Sequence, residues 1–405
     1  MTTTVAVTGL GLITPAGIGR EQNWERVCDG TGLAAADPEL EGALVEFSCR
    51  VPEFDAADAV GAREVWRTDR FVQLALVAAQ EAIADAGLDP GSWDGGRVGV
   101  VVGSAAGGIS TLEAQQKRFL EQGGKGVSAL LHPMSLVNMV SGRLAIEYGA
   151  TGPNLVTATA CASGATAIGV ARDLLASGAC DVVLAGGTEA AVTPTFVSGF
   201  ARMGALYSGT LPPDQASRPF DTRRDGFVIG EGAGMLVLER LEDARRRNAR
   251  VWARLLGYGA TSDAHHATSP HPGGLGIEDA MRRACRDAGV SPEHIGHVNA
   301  HGTSTPLNDA AEAGAIDRLG SPDLAVTSTK GVTGHTLGAA GAIEAAYTVL
   351  SLAHQVIPPT ANLTRTDPEV RLDVVCGAPR KVELAHALSN SAGFGGHNVS
   401  LLFGA

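Results

Sequence analysis

The stretch TATACASGATAIGVAR, residues 157–172, places one thiol, Cys161, among small residues and directly before an apolar, helix-like pattern. Ala160, Ala162 and Gly164 leave room for a substrate to approach the sulfur. A cysteine at a helix N-terminus lies beside unpaired N–H groups and the positive end of the helix dipole, so we expect the pKa of this thiol to be lowered toward neutrality. Taken by itself, the segment predicts either a nucleophilic thiol or a buried structural cysteine.

The composition is that of a large globular protein. The chain has 405 residues, 44% of them hydrophobic, and can bury a large core in roughly two or three domain-sized units. Its net charge of −12 argues against nucleic-acid binding, and the scattered cysteines predict neither disulfides nor a metal site. The first residues resemble a strand and not a signal peptide, and no apolar run reaches the ~18 residues of a membrane span. We therefore expect a soluble cytoplasmic protein with no membrane partner.

Short apolar runs alternate with Ala-rich helical patterns, which is typical of an α/β protein whose sheet is covered on both faces. We predict strands at 5–7, 98–102, 182–184, 235–238, 251–256 and 399–403, and helices at 70–86, 165–177, 276–288, 309–319 and 341–352. The charged run 239–250 predicts a solvated helix that links two halves, 1–250 and 251–405. Each half begins with a strand and a glycine-containing turn, which suggests an internal duplication.

Two histidines lie in polar, glycine-rich turns. His301 follows a short apolar strand in NAHGTSTPLND, where Asp309 is placed to cap the next helix. His335 lies in STKGVTGHTLGAAG together with Lys330, one of few lysines in an Arg-rich chain, and Glu344 in the following helix is the partner we expect for that ammonium. Each histidine alone could equally be a hydrogen-bonded structural residue.

A glycine-rich turn, GFGG at residues 393–396, precedes the last strand and could direct backbone N–H groups at a developing oxyanion. One cysteine and two histidines in such settings meet the needs of thioester chemistry. A thiol accepts an acyl group, and imidazoles donate hydrogen bonds to a second thioester carbonyl. The sequence therefore predicts an acyl-transferring enzyme.

At this point the chain resembles the β-ketoacyl-[acyl carrier protein] synthases, the condensing enzymes of fatty-acid and polyketide assembly. The resemblance extends over essentially the whole chain and is carried by VAVTGLGLITPAG, TACASGAT, RPFDTRRDGFVIGEGAG, NAHGTSTPLND, STKGVTGHTLGAAGAIEA and SAGFGGHNVSLLF. The chain is most similar to the elongating, type II synthases. Its Cys-His-His set differs from the Cys-His-Asn set of initiating ketosynthases and from thiolases, which use a second cysteine.

The resemblance implies the thiolase fold, in which two similar halves with mixed sheets stack as five αβαβα layers, normally in a dimer. It implies that Cys161 carries the growing acyl chain, while His301 and His335 bind the malonyl thioester and stabilise the enolate formed as CO₂ leaves. Lys330, paired with Glu344, would support the His335 side of the site electrostatically. Asp309 would be a further supporting residue of the site.

The resemblance also implies substrate contacts. The backbone N–H groups of Cys161 and Phe394 would form the oxyanion hole, with the Phe394 ring as a gate, and Thr303 and Thr305 would bind the phosphopantetheine arm. Three further residues are predicted to line the acyl pocket: Thr111, Leu112 and Phe200. Ser110 and Thr111 could suit an unsaturated or oxygenated chain, or could face away from the pocket.

The implied partner is an acidic acyl carrier protein in its acyl and malonyl forms. It would deliver phosphopantetheine, so that no bound nicotinamide, flavin or catalytic metal is required. An acidic enzyme needs a local basic patch for such a partner, and we predict one at Arg63, Arg67, Arg70 and Arg202. An ordinary solvated surface is the alternative for these residues.

Several functions remain open at this stage. The first is chain elongation in fatty-acid synthesis. The second is the same chemistry in a dissociated polyketide pathway, with a related chain-length subunit as partner, so that the dimer could be homomeric or heteromeric. A non-catalytic chain-length subunit lacks the active cysteine, and Cys161, His301 and His335 argue against it. A thiol hydrolase would need an acid orienting a histidine, which nothing in the sequence suggests.

Overall fold

The computed structural model describes residues 4–52 and 54–405. Its strands are β1 (Val5–Thr14), β2 (Gly17–Ile18), β3 (Ala35–Ala36), β4 (Phe47–Ser48), β5 (Val98–Gly103), β6 (Asn154–Thr157), β7 (Val182–Glu189), β8 (Gly232–Arg240), β9 (Ala253–Ser262), β10 (His297–Asn299), β11 (Ala325–Thr327), β12 (Val356–Ile357), β13 (Asp373–Val374), β14 (Arg380–Lys381), β15 (His386–Gly393) and β16 (His397–Gly404).

The α-helices are α1 (Arg20–Asp29), α2 (Ala56–Val60), α3 (Ala62–Val65), α4 (Arg70–Asp85), α5 (Ile109–Gln122), α6 (Leu131–Ser135), α7 (Met139–Tyr148), α8 (Ser163–Ala176), α9 (Pro194–Arg202), α10 (Leu241–Arg246), α11 (Leu275–Ala288), α12 (Pro306–Asp317), α13 (Lys330–Thr333) and α14 (Ala340–His354). None of the helices in the described part of the chain combines the length and the apolar character needed to cross a membrane.

The strand order shows that the chain is built from two copies of one unit. In the first half the strands lie in the order β1-β8-β7-β5-β6, and in the second half in the order β9-β16-β15-β10-β11. Each copy begins with two antiparallel pairs and ends with two parallel pairs. The sheets are joined where β1 pairs with β9 through Val5 and Leu255. The predicted duplication is therefore present in the topology, whereas the boundary at residue 250 stays a prediction.

Paired glycines repeat in the first strand of each half. A Cβ at Gly9 would lie 2.0 Å from Ala82 O of α4, and a Cβ at Gly11 would lie 1.8 Å from Ala78 O. Both distances are too short for a non-bonded contact. Gly257 and Gly259 approach α11 in the same way, with 2.1 Å and 2.0 Å to the carbonyl oxygens of that helix. These glycines were predicted to form turns, and that prediction is wrong. They are strand residues whose missing side chains let a helix lie on the sheet.

The helices form the layers of the predicted αβαβα architecture. Helices α8 and α14 pack against each other and against strands of both sheets, so they form the middle layer. Helix α4, with α7, covers the outer face of the first sheet, and α11, with α12, covers that of the second. The middle layer is deeply buried, since every residue of α14 from Ala340 to Leu352 is enclosed. The fold is therefore the thiolase fold.

The predicted helices and strands are present with shifted ends. Four helices of nine or more residues were missed, α1, α5, α7 and α9, together with the short helices α2, α3, α6 and α13. The charged run 239–250 is only partly a solvated helix, since α10 spans Leu241–Arg246. Glu239, the penultimate residue of β8, is a buried carboxylate that pairs with Arg247 and accepts a hydrogen bond from Thr8 Oγ1. A charge-rich pattern could not show that the run turns back onto the sheet.

Candidate active site

One cavity gathers seven of the predicted site residues, among them the thiol and both histidines. These are Cys161, Phe200, His301, Thr303, Thr305, His335 and Phe394. The two halves both contribute: Cys161 comes from the turn before α8, while His301 and His335 follow β10 and α13 of the second half. The rings of His301 and His335 are 5.2 Å apart and nearly perpendicular. Residues that are 140 and 174 positions downstream of the thiol in the sequence therefore face one space.

Cys161 lies in a short 3-10 turn, Ala160–Ala162, directly before α8, as the sequence predicts. Ala160 has a positive φ of 49°, a conformation that a non-glycine residue adopts at some energetic cost and that recurs at functional sites. The expected lowering of the thiol pKa is wrong. Burial raises the pKa of Cys161 to about 12, and the positive charge of Lys330 opposes this only in part. Desolvation of the thiolate outweighs the helix N-terminus, so the resting thiol is protonated.

Lys330 and Glu344 form a buried ion pair behind the histidines, which the sequence analysis anticipated. Burial raises the pKa of Glu344 to about 7, and the ammonium works against this rise. The predicted side of the site needs correction, because Lys330 Nζ contacts His301, 3.4 Å from its Nδ1, and not His335. Its charge nevertheless lowers the pKa of both imidazoles.

Both histidines are neutral at physiological pH. Burial lowers the pKa of His301 and of His335 well below the usual 6.5, with the charge of Lys330 as a further cause. An ammonium can only donate, so the contact with Lys330 makes His301 Nδ1 an acceptor and puts the ring hydrogen on Nε2. His301 thus presents an N–H donor that stays neutral, as a carbonyl-polarising group requires.

The backbone holds His335 tightly. Its N–H donates to Val228 O at 2.7 Å, and its carbonyl accepts from Gly230 N at 2.9 Å. The ring meets the edge of Phe227 at 5.2 Å between centroids. Phe227, Val228 and Gly230 belong to the RPFDTRRDGFVIGEGAG motif. In the fold, this motif therefore supports the second histidine.

Two carboxylates of α12 hold the His301 turn, and the sequence analysis identified only one of them. Glu312 accepts hydrogen bonds from His301 N and Gly302 N, both at 2.8 Å, and was missed. A second acid three residues after Asp309, on the same face of an Ala-rich helix, was the sequence signal that could have revealed it. Asp309 supports the turn but does not cap the helix as predicted. It accepts from Ser304 N and Phe220 N and lies inside the helix, whose N-cap residue is Thr305.

The GFGG turn runs beside the nucleophile. A Cβ on Gly393 would lie 3.1 Å from Cys161 N, so the Phe394 turn and the Cys161 amide are neighbours, as the predicted oxyanion hole requires. The Phe394 ring is 6.1 Å from that of Phe200. Asp263 also lines the cavity and was missed: its backbone N–H donates to Gly396 O at 2.8 Å, which couples a second loop to this turn.

The predicted pantetheine contacts lie at the cavity, but two predicted acyl contacts do not. Thr303 and Thr305 line it, with their hydroxyl oxygens 2.9 Å apart. Thr111 does not line it, because its hydroxyl donates to Asp69 and is occupied in the α4–α5 junction. Leu112 lies one position further along α5 on an outward face and is 49% exposed. The helical period of α5 turns these two side chains away from the thiol.

The predicted basic patch loses one member. The side chain of Arg70 is partly exposed, but its guanidinium is held in a two-pronged ion pair with the buried Glu231 and is not free to pair with a partner's carboxylate. Arg63 and Arg202 are exposed, and Arg67 lies over the exposed ring of Trp66 at 4.5 Å. Three of the four arginines are therefore available to a partner.

A duplicated thiolase fold with a half-buried thiol opposite two neutral imidazoles defines a condensing acyltransferase. The family model described as "Beta-ketoacyl synthase, N-terminal domain" matches residues 2–244, and the one described as "Beta-ketoacyl synthase, C-terminal domain" matches residues 252–364. The chain belongs to the beta-ketoacyl synthase family. It is a 3-oxoacyl-[acyl carrier protein] synthase in its chemistry.

The similarity to named relatives covers almost the whole chain. It is 45% identical over 404 residues to a 3-oxoacyl-[acyl-carrier-protein] synthase 2 of Synechocystis sp., covering 98% of this chain and 97% of that protein. It is 41% identical over 405 residues to the enzyme of that name from Vibrio harveyi, covering 98% of each. Among solved structures, the ishigamide ketosynthase/chain length factor matches with a TM-score of 0.93, 34% identity and 100% coverage of both chains. A type II polyketide ketosynthase complex with its acyl-carrier protein, AntDE:AntF, matches with a TM-score of 0.91, 31% identity and 100% coverage of both chains.

Proposed function

We propose that the enzyme elongates carrier-bound acyl chains by two carbons, with Cys161, His301 and His335 in the roles that the family resemblance implies. The observation that carries this assignment is the shared cavity: one half-buried thiol and two neutral imidazoles face the same space. Among the described residues, the sequence predicted no second group that combines a nucleophilic thiol with two histidines.

In the first step an acyl group moves from the carrier thioester to Cys161. The C–S bond to the carrier breaks, a C–S bond to Sγ forms, and the thiol proton passes to the departing carrier thiol. Because burial keeps Cys161 protonated at rest, this proton must leave as the sulfur attacks. A neutral imidazole at the cavity, His301 or His335, is the group able to take it transiently. The N–H groups of Cys161 and Phe394 stabilise the oxyanion.

In the second step malonyl-carrier loses CO₂, and the electron pair of the broken C–C bond becomes an enolate. Hydrogen bonds from the two histidines stabilise the charge on the thioester oxygen. The carbanion attacks the acyl carbonyl and expels the Cys161 sulfur, which takes up a proton. The product is a 3-oxoacyl carrier thioester longer by two carbons, and the free thiol is restored.

The surroundings of the thiol suit an apolar chain. Cys161 packs in a cluster that includes Ala106, Phe196, Phe200 and Ala205, all partly buried. Chain polarity is therefore governed by this cluster and not by Ser110 or Thr111, whose hydroxyls donate to Asp69. The phosphopantetheine arrives on the carrier protein, along Thr303 and Thr305, and the reaction as written requires no nicotinamide, flavin or metal.

The experiment that tests this function uses the chain purified alone. Incubation with a panel of acyl carriers is expected to add one acyl mass to Cys161, and malonyl-carrier is then expected to convert it to the 3-oxoacyl product. Intact mass spectrometry of enzyme and carrier reads both steps. If no acyl carrier labels Cys161, the proposed function is wrong.

The same experiment separates the homomeric synthase from a catalytic subunit with a chain-length partner. Structural neighbours include ketosynthases solved with a chain length factor, which favours the second possibility as a candidate. An edge strand, β6, exposes Leu155 (42%) next to Ile146 of α7 (70%), a surface suited to pairing with a second subunit of either kind. Acylation of Cys161 without condensation would support the heteromeric enzyme, and condensation by the chain alone supports the homomeric one.

The exposed arginines supply a prediction about the carrier protein. Reversing Arg63 and Arg202 to Glu is expected to raise KM for carrier-bound substrates by about tenfold or more, with little effect on short pantetheine thioesters, because the charges steer only the acidic carrier. Reversal of the exposed Arg283, paired with Asp279 on α11, is the matched control. Steady-state kinetics on both substrate types check this, and equal effects on both would refute the patch.

A further inference from the structure

The duplication extends to the turns that build the active site. The 3-10 turn Ala160–Ala162 precedes α8 in the first half, and the 3-10 turn Leu337–Ala339 precedes α14 in the second. The first residue of each turn, Ala160 and Leu337, has the same unusual φ of 49°. Gly338 therefore occupies in the second half the position that Cys161 occupies in the first.

The surroundings of these two positions also correspond. Cys161 faces the ends of two strands of the other half, where His301 follows β10 and Phe394 follows β15. The equivalent first-half strands are β5 and β7. Their ends carry Ser104 and Glu189, and both lie beside Gly338. The fold thus contains a second, internal copy of the active-site arrangement.

A carboxylate fills this second copy. Glu189 is fully buried and accepts hydrogen bonds from Gly338 N at 3.2 Å, Ala105 N at 2.7 Å, Ala106 N at 3.2 Å and Ser104 Oγ at 3.1 Å. A Cβ on Gly338 would lie 2.5 Å from Glu189 Oε2, so the carboxylate occupies the place that a side chain would take there. Backbone N–H groups that converge on one point form an anion site.

We propose that the carboxyl group of Glu189 is an internal ligand bound in the unused copy of the active site, and that it acts as a positioning residue for the reacting groups. It joins β7 of the first half to the turn that follows His335 in the second half. The Leu337–Ala339 turn also packs against the Ala160–Ala162 turn, which carries Cys161. Glu189 thereby sets the second histidine relative to the thiol, although it does not line the cavity itself. The inference rests on the proposed condensing function.

Removal of the carboxylate tests this role by chemical rescue. Glu189→Ala is expected to lower kcat by about 10- to 100-fold, as small displacements of reacting groups do, while KM for malonyl-carrier stays the same. Sodium formate should restore several-fold activity by entering the emptied anion site, and sodium chloride at equal ionic strength should not. Glu189→Gln is expected to lose activity without rescue, because its side chain fills the space and turns an NH₂ group toward N–H donors.

Glu239→Ala is the matched control. Glu239 is a second buried carboxylate of the same sheet. It lies on β8 opposite Val182, the first residue of β7, whereas Glu189 is the last residue of β7. Its loss should leave kcat and the formate response unchanged. Folding of each variant is followed by its melting temperature.

A wild-type kcat in Glu189→Ala, or a formate response equal to that of wild type, would overturn the proposal. Should that variant not fold, Glu189→Gln decides, since a normal kcat in this isosteric variant also overturns it. Failure of the proposed function would instead appear as wild-type enzyme that does not condense, so the two failures are distinguishable.

Discussion

Replacing Cys161 with Ala is expected to lower condensation by at least about 10⁴-fold, because the acyl group then has no nucleophile to carry it. Decarboxylation of malonyl-carrier is expected to persist, since it depends on His301 and His335, which the substitution leaves in place. Release of CO₂ and formation of 3-oxoacyl-carrier are measured in parallel. The two half-reactions should separate completely in this variant.

A matched control is Cys285→Ala, which removes a buried thiol from α11 in the outer layer, far from the cavity. It is expected to keep both half-reactions. Condensation that survives in Cys161→Ala would show that another group carries the acyl chain, and loss of decarboxylation as well would show that the thiol also binds malonyl.

Replacing Lys330 with Met is expected to lower kcat by about 100-fold or more and to destabilise the protein by about 3–5 kcal/mol. Both effects arise because the change leaves Glu344 as an unpaired buried charge and removes the contact to His301 Nδ1. Chemical unfolding measures the stability, and single-turnover condensation measures the rate. The stability loss should shrink as the pH falls toward the ordinary range of a free Glu. Without the ammonium, the pKa of the buried Glu344 rises beyond the value of about 7 that it has in the pair, so the folded variant holds a proton that the unfolded chain takes up only at lower pH.

The double variant Lys330→Met with Glu344→Gln separates structure from chemistry. It removes both charges, so most of the lost stability should return, because an apolar or neutral pair costs less than one isolated charge. Activity should stay low, since nothing then fixes the hydrogen on His301 Nε2. Recovery of activity together with stability would mean that Lys330 serves only to neutralise Glu344.

A large part of the site could be predicted from short stretches of the sequence. Cys161, His301 and His335 lie in motifs whose small and glycine residues are required by the same close packing that the structure shows, as at Gly338. The Lys330–Glu344 pair was also predicted, because the sequence shows a rare lysine in an Arg-rich chain and an acid fourteen residues later in the following helix. In the structure the two side chains face each other.

Other features depend on distant segments. Glu189, Glu312 and Asp263 were missed because each acts by accepting or aligning backbone groups that are close only in the folded chain. Thr111 and Arg70 were placed at functional surfaces, yet each is held by a remote carboxylate, Asp69 and Glu231. Sequence spacing does not contain these partners.

The amino-acid sequence by itself determined the chemistry, because nucleophile, imidazoles and glycine-rich turns are local patterns, and the resemblance of these motifs to a known family determined the class of fold. Only the tertiary structure decided the electrical state of the site. Burial raises the pKa of Cys161 and lowers those of both histidines, against the helix-terminus argument that holds for an exposed thiol. Desolvation is a property of everything that surrounds a group, so it appears only when both halves of the chain close around the cavity.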